Sequence, residues 1–238
     1  MPCHAYFRSH MMTVLFFAGI PVLSSPVWAD TVSEQGKKIA ASGSAGVLAC
    51  VTCHGAQGEG MAAAGFPYLA GQGEAYLGSQ LHDFAGGVRS NPIMAPIAKA
   101  MNPEQIKAVT VYYSTLPAPF DAKALSDHVD SYPKKEAIGA WLANRGDWEN
   151  NIPACIQCHG PGGVGVGDSF PAIAGQSAKY IHDQLSAWKE KKRAPGPLGL
   201  MGDIAARMSD AQMTAVADYF AALPGSAQPA PEAKQGAK

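Results

Sequence analysis

The chain has 238 residues, 47% of them hydrophobic, and its formal net charge at pH 7 is -1. Only 16% of the residues are charged, which excludes the strongly basic surface of a nucleic-acid-binding protein. At roughly 100–200 residues per domain, this length allows one large domain or two small ones.

Residues 1–29 have the composition of a secretory signal peptide. An apolar run occupies positions 11–20, and Ala29 places a small residue at the predicted cleavage site. A retained membrane anchor is the alternative, but Pro21 ends the apolar run well short of the ~20 residues that a transmembrane helix needs. The sequence therefore predicts export to the periplasm and a mature chain that begins at Asp30.

The remainder of the chain is an internal duplication. Three segments recur in the same order, at offsets of 105, 104 and 107 residues: 50–55 with 155–160, 66–72 with 170–176, and 112–117 with 219–224. Small loop insertions account for the drift in the offset. A repeat of this length predicts two similar domains in tandem.

The fold class predicted for both repeats is all-α, because apolar residues recur at three- and four-residue spacing and no alternating strand pattern is convincing. The predicted helices lie near residues 31–41, 74–84, 103–115, 135–143, 178–190 and 210–222. The predicted units are a signal peptide (1–29), an N-terminal domain (30–118), a linker (119–133), a C-terminal domain (134–224) and a disordered tail (225–238).

Each repeat contains one Cys-x-x-Cys-His segment. The residues concerned are Cys50, Cys53, His54, Cys155, Cys158 and His159. This spacing is typical of covalent c-type haem attachment, in which two thiols meet the vinyl groups and the imidazole reaches the iron. A thioredoxin-like redox pair would need a βαβ context, and zinc would need an equivalent fourth ligand in each half. The sequence predicts two covalently bound haem c groups, with His54 and His159 as iron ligands.

The duplication also tests which residue ligates the opposite side of each iron. A true ligand is expected at matching positions in both halves. His82 aligns with Ser186, and His182 aligns with Gly78. Ligation by two histidines is therefore not expected.

Methionine, in contrast, recurs twice. Met101 and Met208 each precede a predicted helix N-cap, where packing against the first turn explains them. Met94 and Met201 lie in predicted loops, and we expect them to be the second iron ligands, with packing in the core as the alternative. Histidine–methionine ligation raises the haem potential and leaves no open coordination position.

These features predict an electron carrier rather than an enzyme. A dihaem peroxidase would need a vacant or displaceable iron position, and a cysteine-ligated, thiosulfate-oxidising cytochrome would need a fifth cysteine in the mature chain. The alternatives that stay open are a cytochrome subunit of a dehydrogenase or oxidase complex and, less favoured, a dihaem redox enzyme.

The chain resembles the cytochrome c4 family of duplicated, dihaem, class I cytochromes c. The resemblance rests on the two Cys-x-x-Cys-His-Gly motifs, the twin Phe-Pro-x-x-Ala-Gly-Gln segments, Met94 with Met201, and the closing aromatic pairs at 112–113 and 219–220. It implies two all-α domains packed face to face, with the haem propionate edges near each other. It also implies that Gly36 and Gly139 each pack against an aromatic ring of the last helix of their domain.

The same resemblance implies a periplasmic protein, soluble or peripherally associated with the membrane. Its expected partners are redox proteins, namely a respiratory donor complex and a terminal oxidase. The sequence does not identify either partner or give the two reduction potentials.

Two groups of polar residues keep alternative interpretations. One group could bind haem propionates or be ordinary surface residues: Gln72, Tyr76, Arg89, Gln176, Tyr180 and Arg193. The basic run 189–193 could form a docking patch, or could be the solvated C-terminus of a helix, whose dipole favours cations.

Overall fold

The computed structural model describes residues 27–127, 133–194 and 196–227. Within these ranges the chain is helical, and its only β features are isolated bridges. The first half contains α1 (Val27–Ser42), α2 (Val51–His54), α3 (Glu74–Gly86), α4 (Met94–Ala100) and α5 (Pro103–Thr115). α6 (Ala122–Asp127) follows. The second half contains α7 (Ile138–Arg145), α8 (Ile156–His159), α9 (Ala178–Lys189), α10 (Leu200–Arg207) and α11 (Asp210–Ala227).

The two last helices begin in the same way. The side chain of Asn102 accepts from the backbone N–H of Gln105 at 2.8 Å, and Gln105 Oε1 accepts from the Asn102 N–H at 2.9 Å. Ser209 and Gln212 repeat these two bonds at 3.2 and 2.8 Å. Each capping box satisfies two donors that a helix N-terminus leaves unpaired. The sequence pattern therefore fixes where α5 and α11 begin.

The first and last helices of each half cross at a glycine. A Cβ on Gly36 would lie 2.0 Å from the carbonyl oxygen of Ala108, and a Cβ on Gly139 would lie 2.1 Å from that of Ala215. The next neighbours are the Cβ atoms of Tyr112 and Tyr219, respectively. The predicted contact between a small residue and an aromatic residue is confirmed in both halves.

The loops that precede the two Cys-x-x-Cys-His helices are also equivalent, although their sequences differ in length. An isolated bridge joins Ser44 to Val47 in the first half and Asp147 to Ile152 in the second. Gln105 Nε2 donates to Ser44 Oγ at 2.9 Å, and Gln212 Nε2 donates to an Asp147 carboxylate oxygen at 3.0 Å. The longer second loop thus keeps the same attachment to the last helix.

The two halves differ in their apolar cores. Buried residues of the first half form two small clusters, one around Ile39 and Val109 and one around Leu77 and Tyr113. Those of the second half form one continuous cluster, which also includes Leu125 of α6. α6 therefore packs on the second half, although it lies within the segment 119–133 that was predicted as a linker.

Several predicted boundaries need correction or lie outside the described residues. α11 continues to Ala227, so the first three residues of the predicted disordered tail are helical. Residues 228–238 lie outside the described ranges, as do residues 128–132 of the predicted linker and residues 1–26 of the predicted signal peptide. None of the helices in the described part of the chain combines the length and the hydropathy needed to cross a bilayer.

Candidate haem-binding sites and the seam between the halves

The Cys-x-x-Cys-His segments occupy equivalent short helices. Cys50 and Cys155 are the N-cap residues of α2 and α8, and each helix ends at its histidine. None of the four cysteines in the described ranges forms a disulfide. Burial raises the pKa of the Cys155 thiol to about 12 and also raises that of Cys50. Neither segment lies in a βαβ unit within the described residues, which argues against a thioredoxin-like function.

Each site histidine is buried and held by a proline carbonyl. His54 Nδ1 lies 2.9 Å from the Pro67 oxygen, and His159 Nδ1 lies 2.7 Å from the Pro171 oxygen. A carbonyl only accepts, so Nδ1–H is the donor and Nε2 is left free to bind a metal. Burial lowers the pKa of both imidazoles, which favours the neutral form that ligates iron. These carbonyls belong to the twin Phe-Pro segments, whose role the sequence alone did not reveal.

Met94 and Met201 are not in loops, and that prediction was wrong. Met94 is the first residue of α4, and Met201 is the second residue of α10. The Asn91 side chain accepts from the N–H groups of Ile93 and Met94 at 2.9 and 2.8 Å. Pro96 is compatible with α4 because the first helical turn has no intrahelical partner for an N–H group. Both methionines are partly exposed.

The other repeated methionines pack as expected. Met208 is buried in the core of the second half, and Met101 lies against the cluster around Ile39 and Val109. Neither His82 nor His182 is buried: His82 is exposed on α3, and His182 is partly exposed on α9, where Ser186 lies 3.5 Å from it.

The two halves join through a seam of reciprocal hydrogen bonds. The Gln72 amide donates to the Ala172 carbonyl at 2.8 Å and accepts from the Ala172 N–H at 3.0 Å. The Gln176 amide makes the same pair of bonds to Tyr68, at 3.3 and 3.2 Å. Each glutamine thus binds the backbone of the opposite Phe-Pro-x-x-Ala-Gly-Gln segment. Both glutamines have a structural role at the seam, which the repeat alone could not distinguish from cofactor binding.

Two buried arginines also face each other across the seam. Arg89 and Arg193 form an isolated β-bridge and are 6% and 7% exposed. Arg89 donates to Gln80, Tyr180 and Gln184, and Arg193 donates to Gln184 and Gln80. Neither arginine forms an ion pair with any residue in the described ranges. The guanidinium of Arg89 stacks on Phe84 and that of Arg193 on Trp188. Two buried cations without a counter-ion are still costly, so this arginine pair is suited to binding carboxylate groups.

Comparison with known proteins identifies the family. The family model described as cytochrome c matches residues 33–117 and 148–224. A cytochrome c4 of Pseudomonas aeruginosa is 33% identical and aligns over 77% of this chain and 88% of its own length. The chain belongs to the cytochrome c family, and within it to the dihaem cytochromes c4.

Two further relatives of this cytochrome c4 have names that refer to thiosulfate dehydrogenase. One is the thiosulfate dehydrogenase electron acceptor of Stutzerimonas stutzeri, which is 49% identical over 86% of this chain and 92% of its own length. The other is a solved structure of thiosulfate dehydrogenase from Marichromatium purpuratum, with 42% identity and a TM-score of 0.70. The match covers 79% of this chain but only 39% of that longer chain.

This cytochrome c4 therefore carries two covalently bound haem c groups, attached at the Cys50/Cys53 and Cys155/Cys158 pairs. Its own residues fit that cofactor: cysteines outside any disulfide at the required spacing, buried imidazoles with a free Nε2, and two buried arginines at the seam. The protein transfers electrons, as its dihaem relatives do.

The basic run 189–193 of the cytochrome is largely engaged within the molecule. Lys189 donates to the Met208 carbonyl and pairs with Asp210, and Lys192 pairs with Glu190. Arg193 is buried at the seam, opposite Arg89. Among the described residues, Lys191 is the one cation of the run that is neither buried nor in an ion pair, so the run does not form a uniform cationic patch.

Proposed function

We propose that this cytochrome c4 is a periplasmic shuttle that accepts electrons from a thiosulfate dehydrogenase or another respiratory donor and delivers them to a terminal oxidase. The observation that carries the proposal is that the same haem-attachment site occurs once in each half and that a buried seam joins the two halves. Each copy has two thiols and a buried imidazole held by a proline carbonyl. A residue that catalyses bond chemistry is not needed for such a role.

The proposed iron ligands are His54 with Met94 in the first half and His159 with Met201 in the second. A bound haem c supplies a reversible one-electron change at its iron. The protein's residues fix the histidine tautomer and exclude water from the imidazoles, and Met94 and Met201 would supply a soft thioether to each iron. An iron with a protein ligand at both of its remaining coordination positions favours electron transfer over substrate binding.

The buried pair of Arg89 and Arg193 supports a position for both cofactors near the boundary between the halves. We propose that it receives haem propionates, whose negative charge would compensate the two buried guanidiniums. Tyr180 lies between them: burial opposes ionisation of its phenol, but the two adjacent cations lower its pKa. The seam would thus hold both cofactor edges close to the boundary between the halves.

The proposed donor is supported by the names of two relatives, one an electron acceptor of thiosulfate dehydrogenase and the other a thiosulfate dehydrogenase. The second relative also supports an alternative, in which the chain works as a subunit of a dehydrogenase complex, because the similar segment there is part of a longer chain. Peripheral association with the membrane is compatible with both.

Rapid mixing can test the donor. The oxidised, haem-loaded protein is mixed with a thiosulfate dehydrogenase and thiosulfate, and haem reduction is followed by visible absorption. We expect both haems to be reduced in a dehydrogenase-dependent way, with no reduction when the dehydrogenase is omitted. Slow reduction that does not depend on dehydrogenase concentration would reject this donor. Co-elution of the two proteins in size-exclusion chromatography would favour a stable complex over a free shuttle.

A further inference from the structure

One aromatic ring occupies the same place in both halves but carries a hydroxyl group in only one of them. A Cβ on Gly58 would lie 2.8 Å from Tyr113 Cε1, and a Cβ on Gly163 would lie 2.8 Å from Phe220 Cε1. The carbonyl of Tyr113 accepts from Gly71 N–H at 2.9 Å, and that of Phe220 accepts from Gly175 N–H at 2.8 Å. The two rings are therefore equivalent, and the natural difference between them is a single hydroxyl.

That hydroxyl is buried without a partner. Tyr113 is 3% exposed, and its oxygen has no hydrogen-bond partner among the described residues. A buried, unpaired hydroxyl is unfavourable, and native proteins rarely retain one without a function or an additional acceptor. Burial raises the pKa of Tyr113, so the group stays protonated and can donate.

The neighbour of this hydroxyl is a haem-attachment residue. Cys50 packs against the cluster that contains Tyr113, Leu77 and Ala40. Burial raises the pKa of the Cys50 thiol, and the adjacent Tyr113 side chain opposes that shift, which places the phenol next to the sulfur. The corresponding Cys155 packs in a cluster that contains Phe220 and has no hydroxyl at that position. A phenol can donate to sulfur, which is a weak acceptor. The first site therefore has a polar group beside its attachment sulfur, and the second has a hydrocarbon ring edge.

We propose that the Tyr113 hydroxyl donates to the Cys50 sulfur through which the first haem is attached, and thereby raises the reduction potential of the first site. The inference rests on the proposed function as a carrier with two histidine–methionine sites. Hydrogen bonding and burial are the means by which a protein tunes a haem potential. The positive end of the O–H dipole points toward the cofactor edge, where it favours the more electron-rich reduced state. Phe220 gives the second site no such stabilisation.

Another difference between the halves must be separated from this effect. Glu59 lies at the turn after the first site, where its carboxylate packs at Gly55, and Val164 occupies the matching position in the second half. A carboxylate has the opposite effect and favours the oxidised state. Glu59 is exposed, so solvent screens its charge.

Reciprocal exchange of the two rings tests the proposal on the full-length, haem-loaded protein. The variants are Tyr113→Phe and Phe220→Tyr, with Glu59→Gln as the control for charge. The two potentials are measured by optical redox titration and assigned to their sites by comparison with Met94→Ala and Met201→Ala. Haem content and thermal stability are measured in parallel.

We expect Tyr113→Phe to lower the potential of the first site and leave that of the second unchanged. Phe220→Tyr should raise the potential of the second site, and Glu59→Gln should shift the first potential slightly upward. An unchanged or raised first-site potential in Tyr113→Phe, with two haems retained, would overturn the inference without affecting the proposed function. If Tyr113→Phe loses a haem, Phe220→Tyr decides, and an unchanged second potential overturns the inference. Fewer than two haems in the unmodified protein would instead contradict the proposed function.

Discussion

The two halves of the molecule position equivalent histidines in the same way but surround them with different cores. Both hold a buried histidine by a proline carbonyl, and both cross their first and last helices at a glycine. The second half adds α6, whose Leu125 packs into one continuous core, whereas the first half has two smaller clusters and a buried tyrosine hydroxyl. Both halves thus hold the histidine in the same geometry. They differ in the apolar residues packed around the site and in the polarity of the ring beside it.

The largest expected effect comes from removing one attachment site at a time. The double variants Cys50→Ser with Cys53→Ser, and Cys155→Ser with Cys158→Ser, should each reduce haem content from two to one per chain. Because the first half has the more divided core, loss of its haem should remove more helical structure. Mass spectrometry and circular dichroism measure the two quantities. Equal losses of helix in both variants would contradict the expectation that the first half depends more strongly on its haem.

Glycine substitutions at the helix crossings should come next. Gly36→Ala and Gly139→Ala place a methyl group against a backbone carbonyl, and we expect each to lower the free energy of unfolding by about 1–3 kcal/mol or more. Gly78→Ala is the matched control, because a Cβ there meets nothing within 4 Å. It lies inside α3 and should stabilise by about 0.5–1 kcal/mol. Chemical denaturation checks all three, and an equal response of Gly36 and Gly78 would refute the close crossing.

The seam should respond symmetrically to loss of its glutamines. Gln72→Ala and Gln176→Ala each remove two hydrogen bonds across the seam and leave buried backbone groups unpaired. We expect a similar loss of about 1–3 kcal/mol for each. The exposed Gln57 serves as a control, since Gln57→Ala should stay within about 0.5 kcal/mol. If only one of the two seam variants is destabilised, the hydrogen bonds of Gln72 and Gln176 do not contribute equally to stability.

The smallest expected effect concerns a hydrogen bond of the seam that occurs in one half only. Tyr68 donates its hydroxyl to the Ala174 carbonyl at 3.0 Å, and the matching position in the second half is Ala172, which has no hydroxyl. Tyr68→Phe should cost about 0.5–1.5 kcal/mol without changing haem content. Thermal unfolding of the haem-loaded protein measures this. No change in stability would mean that the Tyr68–Ala174 hydrogen bond does not stabilise the seam beyond the hydrogen bonds of the two glutamines.

Much of the fold was predictable because local signals and the duplication agree. The Asn102 and Ser209 capping boxes determine the start of both last helices, and the repeat itself places the two haem-attachment segments. Gly36 and Gly139 were assigned from the family resemblance, and their crossing contacts are confirmed.

The features that sequence patterns did not predict depend on tertiary contacts. The segment with α6 is rich in proline and acidic residues and looks like a linker, yet burial of Leu125 makes it part of the second core. The prolines beside Met94 suggested a loop, whereas Asn91 supports a helix start there. Arg89 and Arg193 become a pair only when the two halves meet. The difference between Tyr113 and Phe220 is visible in the aligned repeats, but its burial beside Cys50 is not.

The proposed carrier function depends on ligation of both irons by histidine and methionine. Near-infrared absorption of the oxidised, full-length protein tests it most directly, because a sulfur–iron bond gives a characteristic charge-transfer band. We expect a low-spin spectrum whose band loses part of its intensity in Met94→Ala and in Met201→Ala, and all of it in the double variant. A high-spin haem in the unmodified protein, or a band that survives both substitutions, would contradict it.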